Sequence, residues 1–120
     1  MGQPVAGQGG GVSFVDATDA DRVAAAITPA TRLVFVETIA NPRTQIADLT
    51  RIGALCAARG VLYVVDNTMT TPYLYLPKRD QAGLIVNSLT QYIGGHGNAL
   101  GCPVHDTGLV DCTPSPHLHD

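Results

Sequence analysis

The sequence has 120 residues, of which 45% are hydrophobic and 14% charged, so it is too apolar for a disordered tail and long enough for one domain. Its net charge of -3 argues against a protein that binds nucleic acid by neutralising phosphates. No run of like charges indicates binding to an anionic membrane, and no apolar run approaches the ~20 residues of a membrane-spanning helix. Three irregularly spaced cysteines do not suggest a disulfide framework, which favours a reducing compartment and predicts a cytoplasmic protein.

The first part of the chain contains a leader, a short strand and a helix. Residues 1–11 are rich in Gly and Gln and are predicted to be a flexible leader. The β-rich run 12–16 predicts a strand. Thr18, with Asp21 three residues later, is typical of a capping box, and it predicts a helix over 19–27.

A strand and the most regular helix follow. The strand 32–38 is apolar at every position from 33 to 36, which is typical of a strand covered on both faces, as in a parallel sheet. Apolar or small residues recur at helical spacing over 46–59, which predicts a helix, and Gly60 occupies the position of its C-cap.

Two more apolar strands are predicted, over 61–65 and 84–86, with a proline-containing loop between them. A glycine-rich turn occupies 94–97. No regular pattern of apolar strand or helix segments continues after this turn, so we expect a folded unit over 12–101 and an irregular tail over 102–120.

The alternation of strands and helices predicts an α/β fold with a mostly parallel sheet. Ligands of such sheets bind beyond the carboxyl ends of the strands. Polar residues collect at those ends: Glu37 after one strand, Asp66 after the next, Ser88 and Thr90 after the third. The pattern indicates a shared ligand site, although strand ends also carry ordinary polar turn residues.

The chemistry of these side chains restricts the kinds of ligand that the predicted site could bind. Asp66 follows five apolar residues, so its carboxylate lies at the rim of a dry core and needs a cation, such as a protonated pyridine nitrogen, or several donors. It could instead cap its own turn through Asn67 and Thr68. Ser88 and Thr90 face the same side of an extended strand, and two hydroxyls next to turn amides suit a phosphate group.

Three segments of the sequence resemble the motifs of one particular protein family. Residues 37–42, 64–68 and 88–97 resemble, in order and separation, motifs of the Cys/Met-metabolism (trans-sulfuration) family of pyridoxal-phosphate (PLP) enzymes. The resemblance covers about residues 12–100 and is greatest to the acyl-homoserine sulfhydrylase and cystathionine synthase and lyase members. It implies part of a PLP fold-type-I, aspartate-aminotransferase-like large domain. It also implies β- or γ-replacement or elimination on homoserine or cysteine derivatives, which are small amino-acid substrates.

The resemblance also implies roles for individual residues. Asp66 would pair with the pyridinium nitrogen, and Thr68 would line the pocket. Ser88 and Thr90 would bind the cofactor phosphate, and Asn41 would lie near the phenolic oxygen of the ring.

One position departs from the family pattern. The family has Ser-x-Thr-Lys-Tyr, and its lysine forms the Schiff base with the cofactor, but this chain has Gln91 there. A carboxamide nitrogen is not a nucleophile and cannot form an imine. Lys78 is the only lysine, and we expect it to be solvent-exposed in its loop. We therefore expect a truncated enzyme without activity of its own and without a metal site.

Two other interpretations stay open. The chain could be a non-catalytic module that forms a homo- or hetero-oligomer, for example with a full-length relative, through an uncovered sheet. It could also be a small zinc protein, because Cys and His are zinc ligands and several occur in the tail. The residues concerned are Cys102, His105, Cys112, His117 and His119. Their spacing matches no compact zinc module.

Overall fold

A computed structural model describes residues 10–40, 42–93 and 101–109; for Gln91 and Tyr92 it describes the backbone alone. The elements in chain order are α1 (Ala20–Ala26), β1 (Leu33–Glu37), β2 (Ile39–Ala40), β3 (Gln45–Ile46), α2 (Leu49–Arg59), β4 (Leu62–Asp66), α3 (Thr71–Leu74), a 3₁₀ helix (Pro77–Asp80), β5 (Leu84–Val86), a π-helical turn (Leu89–Ile93) and β6 (Val104–Asp106). No helix in these ranges is both long and apolar enough to cross a bilayer.

Four strands form the main sheet, in the order β1-β4-β5-β6. β4 pairs in parallel with β1 on one side and with β5 on the other, whereas β6 pairs antiparallel to β5. β2 and β3 form a separate two-stranded antiparallel ribbon. The predicted α/β fold with a mostly parallel sheet is therefore confirmed.

The core lies between one face of the sheet and the two longer helices. Apolar residues of α1, α2 and β4 form it, chiefly Val23, Ile52, Cys56, Tyr63 and Val65. β4 is central in the sheet, and its residues 63–65 are buried on both faces, as its continuous apolar run predicts.

The helix α2 begins three residues later than the sequence predicts. Asp48 is its N-cap and accepts from the Arg51 N–H, and the chain leaves the helix at Gly60 with φ 64°. Ile46, which we assigned to the helix, pairs with Ile39 in the β2–β3 ribbon and is 71% exposed. The helical spacing of Ile46 was misleading because a single apolar residue extends a periodic pattern without contributing to the core.

Two predictions for the start of the chain are wrong. Residues 12–16 form no strand and are exposed. The hydroxyl and amide of Thr18 bond Asp16 instead of capping the helix, and Asp19 is the N-cap of α1, accepting from the Asp21 N–H. Aspartate is as good an N-cap as threonine, so the local sequence allowed either start.

The prediction that β1 is covered on both faces is also wrong. Val36 is buried, but Leu33 and Phe35, which point to the opposite face, are 49% and 53% exposed. β1 is the first strand of the sheet order, and among the described strands it pairs with β4 alone. Its apolar run therefore presents one uncovered face and one open backbone edge within the described chain.

The predicted irregular tail contains a strand. β6 (Val104–Asp106) begins directly after Pro103, whose carbonyl accepts from the Asn87 N–H at 3.1 Å. Proline lacks an N–H donor and is disfavoured in a central strand, but β6 is the last strand in the sheet order and Pro103 contributes its carbonyl. The domain boundaries at residues 11 and 101 remain predictions.

Candidate functional site

The carboxyl ends of three neighbouring strands lie side by side, as the sequence predicts. Glu37 at the end of β1 is in register with Asp66 at the end of β4, and Asp66 is in register with Val86 of β5. Ser88 lies two residues beyond Val86. The parallel pairing therefore brings the acidic and hydroxyl residues of separate strands to one edge of the sheet.

The end of β4 is joined to the end of β5 through Thr68. The Thr68 N–H and hydroxyl both donate to Asp66 Oδ1, at 2.9 Å and 2.5 Å. The Ser88 N–H in turn donates to Thr68 Oγ1 at 2.8 Å. Asp66 thus caps its own turn, which is the alternative to a ligand site that the sequence left open. The hydrogen bond from Ser88 to Thr68 connects this turn to the end of a second strand.

The two hydroxyls after β5 form a pair. Ser88 Oγ and Thr90 Oγ1 lie 2.6 Å apart, and both residues are half-buried. The Leu89 N–H donates to the Gly101 carbonyl at 2.8 Å, which fixes the start of the π-helical turn that carries Thr90. Asp66, Thr68, Ser88 and Thr90 thus form one hydrogen-bonded group.

A second, buried network supports the same edge from the helix side of the sheet. Thr70 Oγ1 donates to Asn67 Oδ1 at 2.6 Å and lies 3.1 Å from Thr38 Oγ1. Asn67 Nδ2 donates to the Tyr75 carbonyl at 2.9 Å. Asn67 and Thr38 are both buried, so this network ties the ends of β1 and β4 to Thr70 and Tyr75, the two residues that flank α3. Sequence reasoning missed it, although Thr38 and Asn67 each directly follow a strand-end acid.

Asn87 is also buried and polar, but unlike Asn67 and Thr38 its side chain belongs to no hydrogen-bonded network of the described residues. Its side chain is 1% exposed, and neither Oδ1 nor Nδ2 has a hydrogen-bond partner among the residues that the structure describes. An unpaired buried amide is destabilising. Its backbone N–H, by contrast, bonds Pro103 and holds β6 against β5.

The group at the strand ends suits a ligand with a cation at one end and an anion at the other. Asp66 is half-buried, and no cation among the described residues pairs with it. Ser88 and Thr90 offer hydroxyl donors of the kind that bind a phosphate. A protonated pyridine ring that carries a phosphate meets both requirements without a covalent bond.

Covalent attachment of an aldehyde has no support in the residues described. Lys78 is exposed in the 3₁₀ helix, as expected for a surface lysine. The side chain of Gln91 and the whole of Asn41 lie outside the described residues. The arrangement therefore fits the noncovalent contacts of such a ring, and it lacks the amine that would hold the ring covalently.

A cavity of about 600 Å³ opens beside β1, away from this group. Phe14, Phe35, Glu37 and Arg43 are among its lining residues, whereas Asp66, Thr68, Ser88 and Thr90 are not. The cavity follows the uncovered edge of β1. It is a feature of the open sheet, not of the hydrogen-bonded group.

Across residues 10–40, 42–93 and 101–109, no three Cys, His, Asp or Glu side chains lie close enough together to hold a metal ion. Cys102 is an exposed free thiol, and His105 is exposed on β6. The other members of the suggested zinc set, Cys112, His117 and His119, lie outside the described residues.

Comparison with known proteins agrees with the geometry. A cystathionine gamma-synthase of Mycobacterium tuberculosis is 48% identical over 83 residues, which are 69% of this chain and 21% of the relative. A canavanine gamma-lyase of Rhizobium leguminosarum is 42% identical over 74% of the chain and 22% of the relative. An O-acetyl-L-homoserine sulfhydrylase of Leptospira meyeri is 37% identical over 81% of the chain and 22% of the relative.

The fold has a counterpart among solved structures. A cystathionine gamma-lyase of Lactobacillus plantarum, solved with L-serine, superposes with a TM-score of 0.76 at 35% identity, over 78% of this chain and 25% of that one. The chain thus spans about a quarter of the length of the proteins it matches. The family model for the Cys/Met metabolism PLP-dependent enzymes matches residues 5–113. The chain therefore belongs to this family, whose members depend on pyridoxal phosphate.

Proposed function

We propose that this chain binds pyridoxal phosphate without a covalent bond, as part of the cofactor-binding domain of a trans-sulfuration enzyme. The observation that carries the proposal is the hydrogen-bonded group at the carboxyl ends of β4 and β5, in which a carboxylate and a pair of hydroxyls are linked through Thr68. The carboxylate suits a pyridinium nitrogen, and the hydroxyls suit a phosphate.

Each residue of the group has a distinct part in the proposal. Asp66 holds the pyridinium proton by accepting from the ring nitrogen, and Thr68 lines the pocket. Ser88 and Thr90 donate to the phosphate, giving up their mutual hydrogen bond to do so. For Asn41, which lies outside the described residues, we propose a contact with the phenolic oxygen of the ring. When bound, the ring supplies an electron sink for negative charge at the α-carbon of an amino acid.

Catalysis by this chain alone is not part of the proposal. The family reactions are β- or γ-replacements and eliminations on homoserine or cysteine derivatives, and they need an amine at position 91. The Gln91 carboxamide cannot attack a carbonyl or carry a proton from the α-carbon. We therefore propose a binding function without turnover.

The test uses pyridoxamine phosphate, which has the ring and the phosphate but cannot form an imine with any lysine. The chain should bind it, and Asp66→Asn should weaken binding by about 10- to 100-fold because a hydrogen bond to a charged group is lost. Asp16→Asn is the matched control and should leave binding unchanged, because Asp16 Oδ1 accepts from the Thr18 N–H and hydroxyl in the same kind of turn, outside the proposed site.

Binding can be followed by the fluorescence of the ligand. Equal affinity for the wild type and Asp66→Asn, or no binding by the wild type, would refute the proposal. Turnover of a sulfur amino acid by the wild-type chain with pyridoxal phosphate would refute the inactivity of the chain, and Gln91→Lys tests that position directly.

A second candidate function rests on the uncovered face of β1. We propose that this face associates with a full-length relative, since Leu33 and Phe35 are exposed on it next to the cavity that Phe14 also lines. Phe35→Asp should then abolish co-elution with a purified cystathionine gamma-synthase, whereas Tyr73→Asp, at a residue 93% exposed elsewhere, should not. Co-elution that Phe35→Asp leaves intact would eliminate this candidate.

We propose the cytoplasm as the compartment of the protein. Cys56 and Cys102 are both free thiols, which suits a reducing environment.

A further inference from the structure

The Thr68 side chain has more contacts than a residue that lines a pocket needs. Its hydroxyl donates to Asp66 Oδ1 at 2.5 Å and accepts from the Ser88 N–H at 2.8 Å. The first partner is two residues away in the same turn, and the second is 20 residues away at the end of another strand. One hydroxyl therefore joins the two ends of the proposed site.

The direction of these bonds is fixed by their chemistry. A backbone N–H can only donate, so the Ser88 contact uses a lone pair of the Thr68 oxygen and leaves its proton for the carboxylate. The Thr68 N–H adds a second donor to the same carboxylate oxygen at 2.9 Å. Asp66 Oδ1 is thus held by two donors, whereas Oδ2 has no hydrogen bond from a described residue.

We propose that Thr68 is a positioning residue that orients Asp66 and fixes its distance from Ser88. The inference rests on the proposed binding of pyridoxal phosphate and adds to it. With Oδ1 engaged, Oδ2 is the oxygen that meets the ring nitrogen. The same hydroxyl also holds the Ser88 backbone. The distance between the nitrogen-binding and phosphate-binding ends of the site is therefore fixed before the ligand binds.

An Asp-turn by itself would not require this arrangement. The bond from the Thr68 N–H to Asp66 forms with any residue at position 68 that has a backbone N–H. The hydroxyl contacts are what a substitution can remove. Thr68→Val keeps the β-branched shape and deletes the hydroxyl, and Thr68→Ser keeps the hydroxyl and deletes the methyl group.

The experiment measures pyridoxamine phosphate affinity together with the hydrogen exchange of the Ser88 amide. Thr68→Val should weaken binding about tenfold and speed the exchange of this amide, while Thr68→Ser stays within about twofold of the wild type. Because Thr68 acts through Asp66, the loss in the double variant Asp66→Asn/Thr68→Val should be smaller than the product of the two single losses. Thr68→Ala replaces the valine variant if far-UV circular dichroism shows that the latter unfolds.

The outcomes separate this inference from the function on which it rests. If the wild type binds and Thr68→Val binds equally well, the positioning role is wrong and the proposed function stands. If Thr68→Ser is as weak as Thr68→Val, the hydroxyl is not the cause, and the inference also fails. If the wild type does not bind pyridoxamine phosphate, the proposed function fails and the positioning role fails with it, whatever happens to the Ser88 amide.

Discussion

Gly53 lies where α2 crosses the 3₁₀ helix Pro77–Asp80, and Gly53→Ala should destabilise the protein. A Cβ at this position would lie 1.8 Å from the Asp80 carbonyl oxygen, 2.9 Å from its carbonyl carbon and 3.2 Å from Tyr63 Cε1. Ordinary contact begins at 3.4 Å, so the helix and the carbonyl must separate by about 1.6 Å. No side-chain rotation can relieve the clash, because the atom that blocks the Cβ belongs to the backbone.

The expected cost combines three contributions. Overpacking of a well-packed site costs about 1–3 kcal/mol, and a backbone clash belongs at the upper end of that range. The shift also strains the 2.6 Å hydrogen bond from Thr50 to Asp80 Oδ1, worth about 1 kcal/mol. Alanine gains about 1 kcal/mol over glycine in a helix. The net loss is about 2–3 kcal/mol of the free energy of unfolding.

Urea unfolding followed by far-UV circular dichroism measures this loss, since the chain has no Trp. With an m-value of about 1–2 kcal/mol/M, the midpoint should fall by about 1–3 M. Ala54→Gly, at an exposed position of the same helix, is the control and should cost about 1 kcal/mol through helix propensity alone. A Gly53→Ala protein as stable as the wild type, or more stable, would show that the contact between α2 and the 3₁₀ helix is not as close as described.

Two further predictions concern buried polar groups. Burial raises the pKa of the Cys56 thiol to about 11 from 9.0, despite the opposing effect of Arg59, and burial also raises the pKa of Tyr63. As the pH rises, these groups lose their protons in the unfolded chain before they do so in the folded one. Their contribution to the free energy of unfolding is therefore fully present below pH 9 and falls as the pH rises towards 11, by about 2 kcal/mol for Cys56 alone. A Cys56→Ala variant that loses as much stability as the wild type between pH 8 and 10.5 would contradict this. Asn87→Leu should stabilise the protein by about 1 kcal/mol and so raise the urea midpoint, because it removes an amide that is 1% exposed and has no partner in the described part of the chain. A lower midpoint would show that the amide is satisfied in solution.

Local sequence patterns predicted the elements that can be recognised from the residues of one segment alone. The apolar runs of β4 and β5 gave strands within one residue of their observed bounds, and Gly60 marked the end of α2. The same patterns failed where a residue had two local options, as with Thr18 and Asp19 at the start of α1, or Ile46 before α2. They also failed for β6, because a strand of three residues after a proline has no pattern of its own.

For the candidate site, the sequence identified the residue types and their order at the strand ends. It did not show how they are connected. The Ser88 N–H reaches Thr68 because parallel pairing brings the ends of β4 and β5 into register, and no spacing along the chain encodes a contact between residues 20 apart. The burial of Thr38, Asn67 and Asn87 depends in the same way on what packs over them.

The sequence by itself determined the family, the alternation of strands and helices, and the carboxamide at position 91, because these depend on the identity and order of residues. The tertiary structure decided which face of β1 stays open, which oxygen of Asp66 is engaged, and that one threonine hydroxyl joins two strands. Those properties depend on distances between atoms far apart in the chain, and such distances exist only once the sheet has formed.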